Sequence, residues 1–153
     1  MKNHFGFTLI ELMVTVALAA ILLTLAIPSF RTMVLNNRLV TAANAFVADA
    51  SLARSEAIKR GTTVSIVANA GGWTNGWTVK LGVGGTTLKV ADALKDTVTA
   101  TAAGGVTIFT FSPDGSSSAQ DKLDVCDGRT GETGQEISID FSGRVGTSSV
   151  GCP

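Results

Sequence analysis

Between Phe7 and Phe30 the chain carries one formally charged side chain, Glu11, and the run from Leu12 to Phe30 is nineteen residues long with no other. At about 1.5 Å of rise per residue, a helix of that length nearly crosses a hydrocarbon core of about 30 Å. A fold for this chain must place that segment in lipid or among other helices. A secretory signal peptide is the ordinary alternative, and it ends in a small-residue cleavage site followed by a polar mature chain. Ala26-Ile27-Pro28 imitates such a site.

The decisive residues lie upstream. Met1 to Gly6 form a short polar leader containing Lys2 and His4, and Gly6 precedes Phe7-Thr8-Leu9-Ile10-Glu11. A small residue, then an apolar one, then an acid at the fifth position counting from Phe7 resembles the processing site of type IV pilins and pseudopilins. The resemblance implies removal of residues 1–6 by prepilin peptidase on the cytoplasmic side, with the cut between Gly6 and Phe7. It further implies N-methylation of the new amino group on Phe7, and retention of the helix as anchor and assembly segment.

Glu11 also has a physical case of its own. A carboxylate at membrane depth costs about 2.5–3.5 kcal/mol on insertion scales, so its presence needs a reason. One reading is that it snorkels to the headgroups. The other, which the resemblance implies, is that it meets the positive α-amino group of Phe7 on a neighbouring subunit and sets the axial register of packed helices. Pro28 lacks an N–H and crowds the preceding turn, so a kink or local melting is expected there, comparable to the proline of pilins. Ala17, Ala19, Ala20 and Ala26 are small enough to admit close helix approach.

Beyond Phe30, the residues Leu35, Leu39, Ala43, Phe46, Ala50, Ala53 and Ala57 recur at spacings of three and four, predicting an amphipathic helix over 31–60 that continues the anchor. Lys59 and Arg60 suit its last turn and Gly61 is placed to stop it. The remainder, 61–153, reads as a β-rich head. Alternation predicts strands at Thr62 to Ala68, Gly76 to Leu81, Thr86 to Val90, Val106 to Phe111, Leu123 to Val125, Glu136 to Phe141 and a short piece after Arg144. Turns are expected at Asn69 to Gly72 and Gly82 to Gly85. The expected fold is α+β: a long helix packed on an antiparallel sheet.

Two stretches narrow the resemblance. Leu52 to Gly61 followed by Val64 and Ile66 looks like the helix-to-strand junction of GspH/FimT minor pilins and pseudopilins. Gly72-Trp73-Thr74-Asn75-Gly76-Trp77-Thr78-Val79 resembles their tryptophan-glycine strand, and Ile137-Ser138-Ile139 before Gly143-Arg144 resembles their C-terminal strand and turn. Read without the resemblance, Trp73 and Trp77 are sheet packing, while Arg54 and Glu56 occupy a solvated helix face.

No catalytic constellation emerges. The only histidine, His4, lies in the leader, leaving Ser, Cys and Asp without a partner base. No phosphate-loop pattern occurs, and no cofactor is expected. Asp121, Asp124 and Asp127, with Glu132, could supply oxygen ligands to Ca²⁺, but they form no EF-hand loop, and a hydrated acidic loop is the default. Cys126 and Cys152 lack C-x-x-C spacing. A disulfide in an oxidising compartment fits them best, with two buried free thiols as the alternative.

Some FimT-like members bind DNA for natural transformation through a Gly-Arg-x-Arg motif. Here the corresponding stretch is Gly143-Arg144-Val145-Gly146, without the second arginine. From Asp121 to Pro153 six acids face three bases, which opposes phosphate binding unless Arg129 and Arg144 converge. DNA is therefore a possible but unfavoured partner. The reading is a FimU-like minor pilin that assembles into, primes or caps a type IV pilus. Its partners would be prepilin peptidase, other minor and major pilins or pseudopilins, and the inner-membrane assembly platform. The alternatives are a FimT-like DNA-uptake receptor and a GspH-like minor pseudopilin of type II secretion. In each case the chain crosses the bacterial inner membrane once, N-terminus cytoplasmic and head periplasmic.

Overall fold

The computed structural model describes residues 7–153. Gly6 and the rest of the leader lie outside the described residues. One helix, α1 (Leu9–Arg60), precedes eight strands: β1 (Val64–Ala68), β2 (Trp77–Leu81), β3 (Thr87–Ala91), β4 (Thr99–Ala102), β5 (Ile108–Phe111), β6 (Asp121–Cys126), β7 (Thr133–Ile139) and β8 (Val145–Gly151). The chain divides into two compact units, one ending at Leu35 and the other covering Asn36–Pro153.

In the first unit, Thr8 opens α1: its hydroxyl oxygen accepts the Glu11 N–H at 3.3 Å, the N-terminal half of a capping box that the sequence reading overlooked. The hydroxyls of Thr15 and Thr24 donate to the carbonyls of Leu12 and Ile21 at 2.8 and 2.6 Å, satisfying these groups along an otherwise apolar surface. α1 is helical through Pro28. The local melting expected there is thus absent from the single subunit.

The second unit contains the core. Leu39, Ala43, Phe46, Ala50, Ala53 and Ala57 are buried, as the three-and-four spacing predicts. Four alanines on this stripe let the backbone of α1 approach the sheets closely. Phe46 meets Trp73 and Trp77 edge-on, with ring centroids 5.3 and 5.1 Å apart. The helix stops as expected: Gly61 takes φ 62°, and the Thr62 N–H reaches back to the Ala57 carbonyl at 3.3 Å, a Schellman closure.

The strands form two four-stranded antiparallel sheets, ordered β3-β2-β1-β5 and β4-β6-β7-β8, where the sequence predicted one. Alternation identifies buried faces but carries no information on which strands share a ladder. Val64 and Ile66 of β1 and Trp77 and Val79 of β2 face inward as predicted, and Leu123, Val125, Ile137 and Ile139 form the corresponding layer of the second sheet. Trp73 is not in a strand. It sits in a 3₁₀ turn over Trp73–Asn75, because Gly72 and Gly76 at φ 101° and 85° bend the chain on both sides. β4 was unforeseen, since Thr-Ala-Thr-Ala is too weakly apolar to register, and β8 is longer than the short piece expected.

Candidate functional site

Three arrangements bear on function, the first being the N-terminal half of α1. All large apolar side chains from Phe7 to Phe30 are exposed in the single chain, with Glu11 as the lone charge among them. The helix is long and apolar enough to cross a membrane. A helix apolar on every side is stable only where lipid or other helices surround it.

The second arrangement joins the C-terminal half of α1 to the turn between β7 and β8. Arg54 donates from Nε to the Gly115 carbonyl at 2.9 Å and from Nη2 to the Ser142 carbonyl at 3.2 Å. Rather than sitting on a solvated face as predicted, it is a half-buried clamp. The clamp requires Gly143, where a Cβ would lie 1.9 Å from the Gly115 oxygen. Arg144 remains exposed, and with Ser51, Arg54, Ser55 and Ile58 it lines a groove of about 340 Å³. Glu56, by contrast, is engaged along the helix by Arg60 and Lys59, whose hydrogen bond and charges hold its carboxyl below the usual range.

The third arrangement occupies the other end of the acidic stretch. Asp127 binds Arg129 through Nε at 2.9 and 3.0 Å and through Nη2 at 2.7 Å, and Arg129 Nη2 reaches Asn36 Oδ1 on α1 at 2.8 Å. The guanidinium hydrogen bond holds the Asp127 carboxyl below its ordinary range, and the same bond pushes Arg129 upward. Arg129 is therefore a strut within the head. It does not converge with Arg144: Asn36 and Ser51 are fifteen positions apart on one helix, about 22 Å along its axis.

Two further acids of the stretch differ in their surroundings. Asp121 accepts the N–H groups of Gly104, Val106 and Lys122 at 2.7–3.1 Å and fixes the loop before β5. Asp124 stands opposite Glu136 across the β6·β7 ladder. Burial first, then Glu136, raises its carboxyl pKa, while Lys122 opposes that rise. Of the carboxylates expected in a hydrated acidic loop, Asp121 and Asp127 are committed to the scaffold, Glu132 stays exposed at 3.8 Å from Arg129, and one buried oxygen of Asp124 has no hydrogen-bond partner. Among the described residues no group of three or more His, Cys, Asp or Glu side chains could hold a metal ion.

Cys126 and Cys152 form a disulfide that ties β6 to the chain end across β7. It passes over Gly134, where a Cβ would lie 2.6 Å from Cys152 Sγ. Asp49 is the residue that sequence reasoning missed. Buried within the apolar stripe of α1, it accepts the Trp77 Nε1–H at 2.9 Å and pairs with Lys89 of β3. The available signal was an acid interrupting the stripe three residues after Phe46.

The family described as Type II transport protein GspH matches residues 42–143. The chain belongs to the GspH family. A second model, the prokaryotic N-terminal methylation motif, matches residues 1–27. Among solved structures, this GspH-family chain is similar to the type IV minor pilin FimU of Pseudomonas aeruginosa strain PAO1 in two crystal forms. The first is 26% identical, with a TM-score of 0.67 over 73% of this chain and 89% of that one. The second is 25% identical, with a TM-score of 0.63 over 71% and 90%. No curated protein matches. The chain is thus of the type IV minor pilin and pseudopilin family, with the α+β pilin fold, and its family and fold are those of structural pilins.

Proposed function

We propose that this chain is a minor pilin whose work is assembly: it enters, primes or caps a type IV pilus through helix packing below and head contacts above. The observation that carries this reading is the run of exposed large apolar side chains from Phe7 to Phe30, with Glu11 as its only charge. Prepilin peptidase removes residues 1–6 after Gly6, and the amino group of Phe7 is then methylated. The chain crosses the inner membrane once, N-terminus cytoplasmic and head periplasmic, until the assembly platform passes it to the filament. There Glu11 pairs with the Phe7 amine of a neighbouring pilin, neutralising two charges that apolar surroundings would otherwise penalise. Pro28 deprives the Thr24 carbonyl of its backbone donor, making that turn the weakest of the anchor and the place where α1 loosens on packing.

Replacing Glu11 by Ala should lower the amount of protein in sheared filaments at least about tenfold, the equivalent of 1.4 kcal/mol, while membrane levels and head folding persist. Normal piliation with the variant incorporated at the parental level would sink the proposal.

A second reading, a minor pseudopilin of type II secretion, is supported by the family's description and uses the same helix chemistry. Deleting the gene and measuring twitching against protein export separates the two. The DNA-receptor reading has less support, because Arg129 is spent on Asp127 and Asn36, leaving Arg144 without the partner it needs.

A further inference from the structure

A sheet edge left open is a template for another strand, and folded proteins ordinarily obstruct such edges. Of the four edges here, three are closed or blunted. On β5, the Thr110 carbonyl accepts the Ser118 N–H at 2.8 Å and the Thr110 N–H donates to Ser118 Oγ at 3.2 Å. On β4, Thr74 Oγ1 accepts the Ala100 N–H at 2.9 Å, and its hydroxyl donates to the Ala100 carbonyl at 3.2 Å. β3 is five residues long, breaks register against Val79 and Lys80, and carries Lys89.

β8 has none of these devices. Its seven residues, Val-Gly-Thr-Ser-Ser-Val-Gly, include no charge and no proline, and Thr147, Ser148 and Ser149 are exposed. Its free groups can be identified. At one end the Arg144 carbonyl accepts the Asp140 N–H at 3.1 Å, and at the other the Cys152 N–H donates to the Glu132 carbonyl at 3.0 Å. The register between these ends is continuous. Bonded pairs alternate in an antiparallel ladder, so the even-numbered residues face β7, and Val145, Thr147, Ser149 and Gly151 turn their N–H and C=O groups outward.

The start of this edge opens onto the groove lined by Arg54 and Arg144. No carboxylate lines that groove, and neither arginine has an ion-pair partner among the described residues. We propose that the open edge of β8 accepts an extended segment from the head of a different, neighbouring pilin-like subunit. This segment pairs backbone to backbone with Val145, Thr147, Ser149 and Gly151 and places a carboxylate side chain in the groove between Arg54 and Arg144. The inference deepens the assembly reading above and rests on it. A second copy of this chain fits less well, because its own β8 brings no acid to the groove. Residues 36–153 carry eleven acids against ten bases, so the head offers no general basic field for an extended polyanion, while the groove itself suits a single carboxylate.

The test uses the full chain in its own host. Thr147→Pro and Ser149→Pro each remove an outward N–H while leaving the β7·β8 bonds in place. Either should reduce incorporation into filaments at least about tenfold without changing the thermal midpoint of the purified protein. Arg144→Glu should do the same and Arg144→Lys should not. A photo-reactive side chain at Ser149 should yield an adduct whose peptide, sequenced by mass spectrometry, belongs to an extended segment of another pilin-like subunit. The proposal is overturned by proline and Arg144→Glu variants that enter filaments like the parent, or by an adduct that maps to a second copy or to DNA. If Glu11→Ala blocks incorporation while the proline variants enter normally, the edge proposal fails alone. If Glu11→Ala is incorporated normally, the helix-packing reading fails, and the adduct still decides the edge.

Discussion

Asp49 shows how much one side chain can decide in a head this small. Its carboxylate is buried, and burying it is tolerable only because Trp77 and Lys89 both reach it. The two partners are unequal. Trp77 is itself buried, so removing the acceptor leaves an indole N–H unsatisfied, whereas Lys89 is half exposed and can return to water. Asp49→Ala, which strands only the neutral indole N–H, should therefore cost about 1–2 kcal/mol of head stability, against about 3 kcal/mol or more for Lys89→Met, which leaves the buried carboxylate without its cation. Urea unfolding followed by tryptophan fluorescence measures both, and equal losses would contradict this account. Arg129 is a comparable case: as a residue type it invited a phosphate, but Asp127 and Asn36 had already claimed its donors.

Among the elements, the second sheet depends most on its covalent tie. β8 is uncharged, small in side chain and paired on one side only, so little apolar burial holds it. The bond between Cys126 and Cys152 spans 26 positions and restricts the unfolded chain, which the simple loop model values at about 3.5 kcal/mol. Paired Cys126→Ser and Cys152→Ser substitutions should lower the urea midpoint accordingly. Hydrogen exchange in the variant should rise first in 145–151, since that strand loses its anchor while β1 and β2 keep theirs. Uniform loss of protection across both sheets would refute that ordering.

For the molecule as a whole, the two units answer to different solvents. The buried set from Leu39 to Ile139, together with Cys152, lies wholly within Asn36–Pro153, while the large apolar side chains of Phe7 to Phe30 are all exposed. A fragment beginning at Asn36 should be soluble without detergent and melt cooperatively, whereas the full chain should require detergent. Circular dichroism melts of both check this, and a fragment without a cooperative transition would show that the head borrows stability from the anchor.

Periodicity and punctuation were enough to determine the parts of this protein that depend on neighbours in sequence. The apolar run, the stripe from Leu39 to Ala57, the stop at Gly61 and the inward faces of β1 and β2 follow from spacing, because helix and strand repeats are local properties of the chain. The Gly6-Phe7-Glu11 pattern is local too and pointed to type IV filament subunits at large, while the stretches from Leu52 to Gly61 and from Gly72 to Val79 pointed to the GspH branch that the comparisons identify. The tertiary structure alone decided what depends on distant residues. It divided the strands into two sheets and drew Arg54 to the carbonyls of Gly115 and Ser142. It kept Arg129 and Arg144 at separate places along α1, and it left β8 as an edge that none of the described residues covers. Such pairings join positions tens of residues apart, and no repeat along the chain records which hydrogen-bonding groups find partners and which remain open.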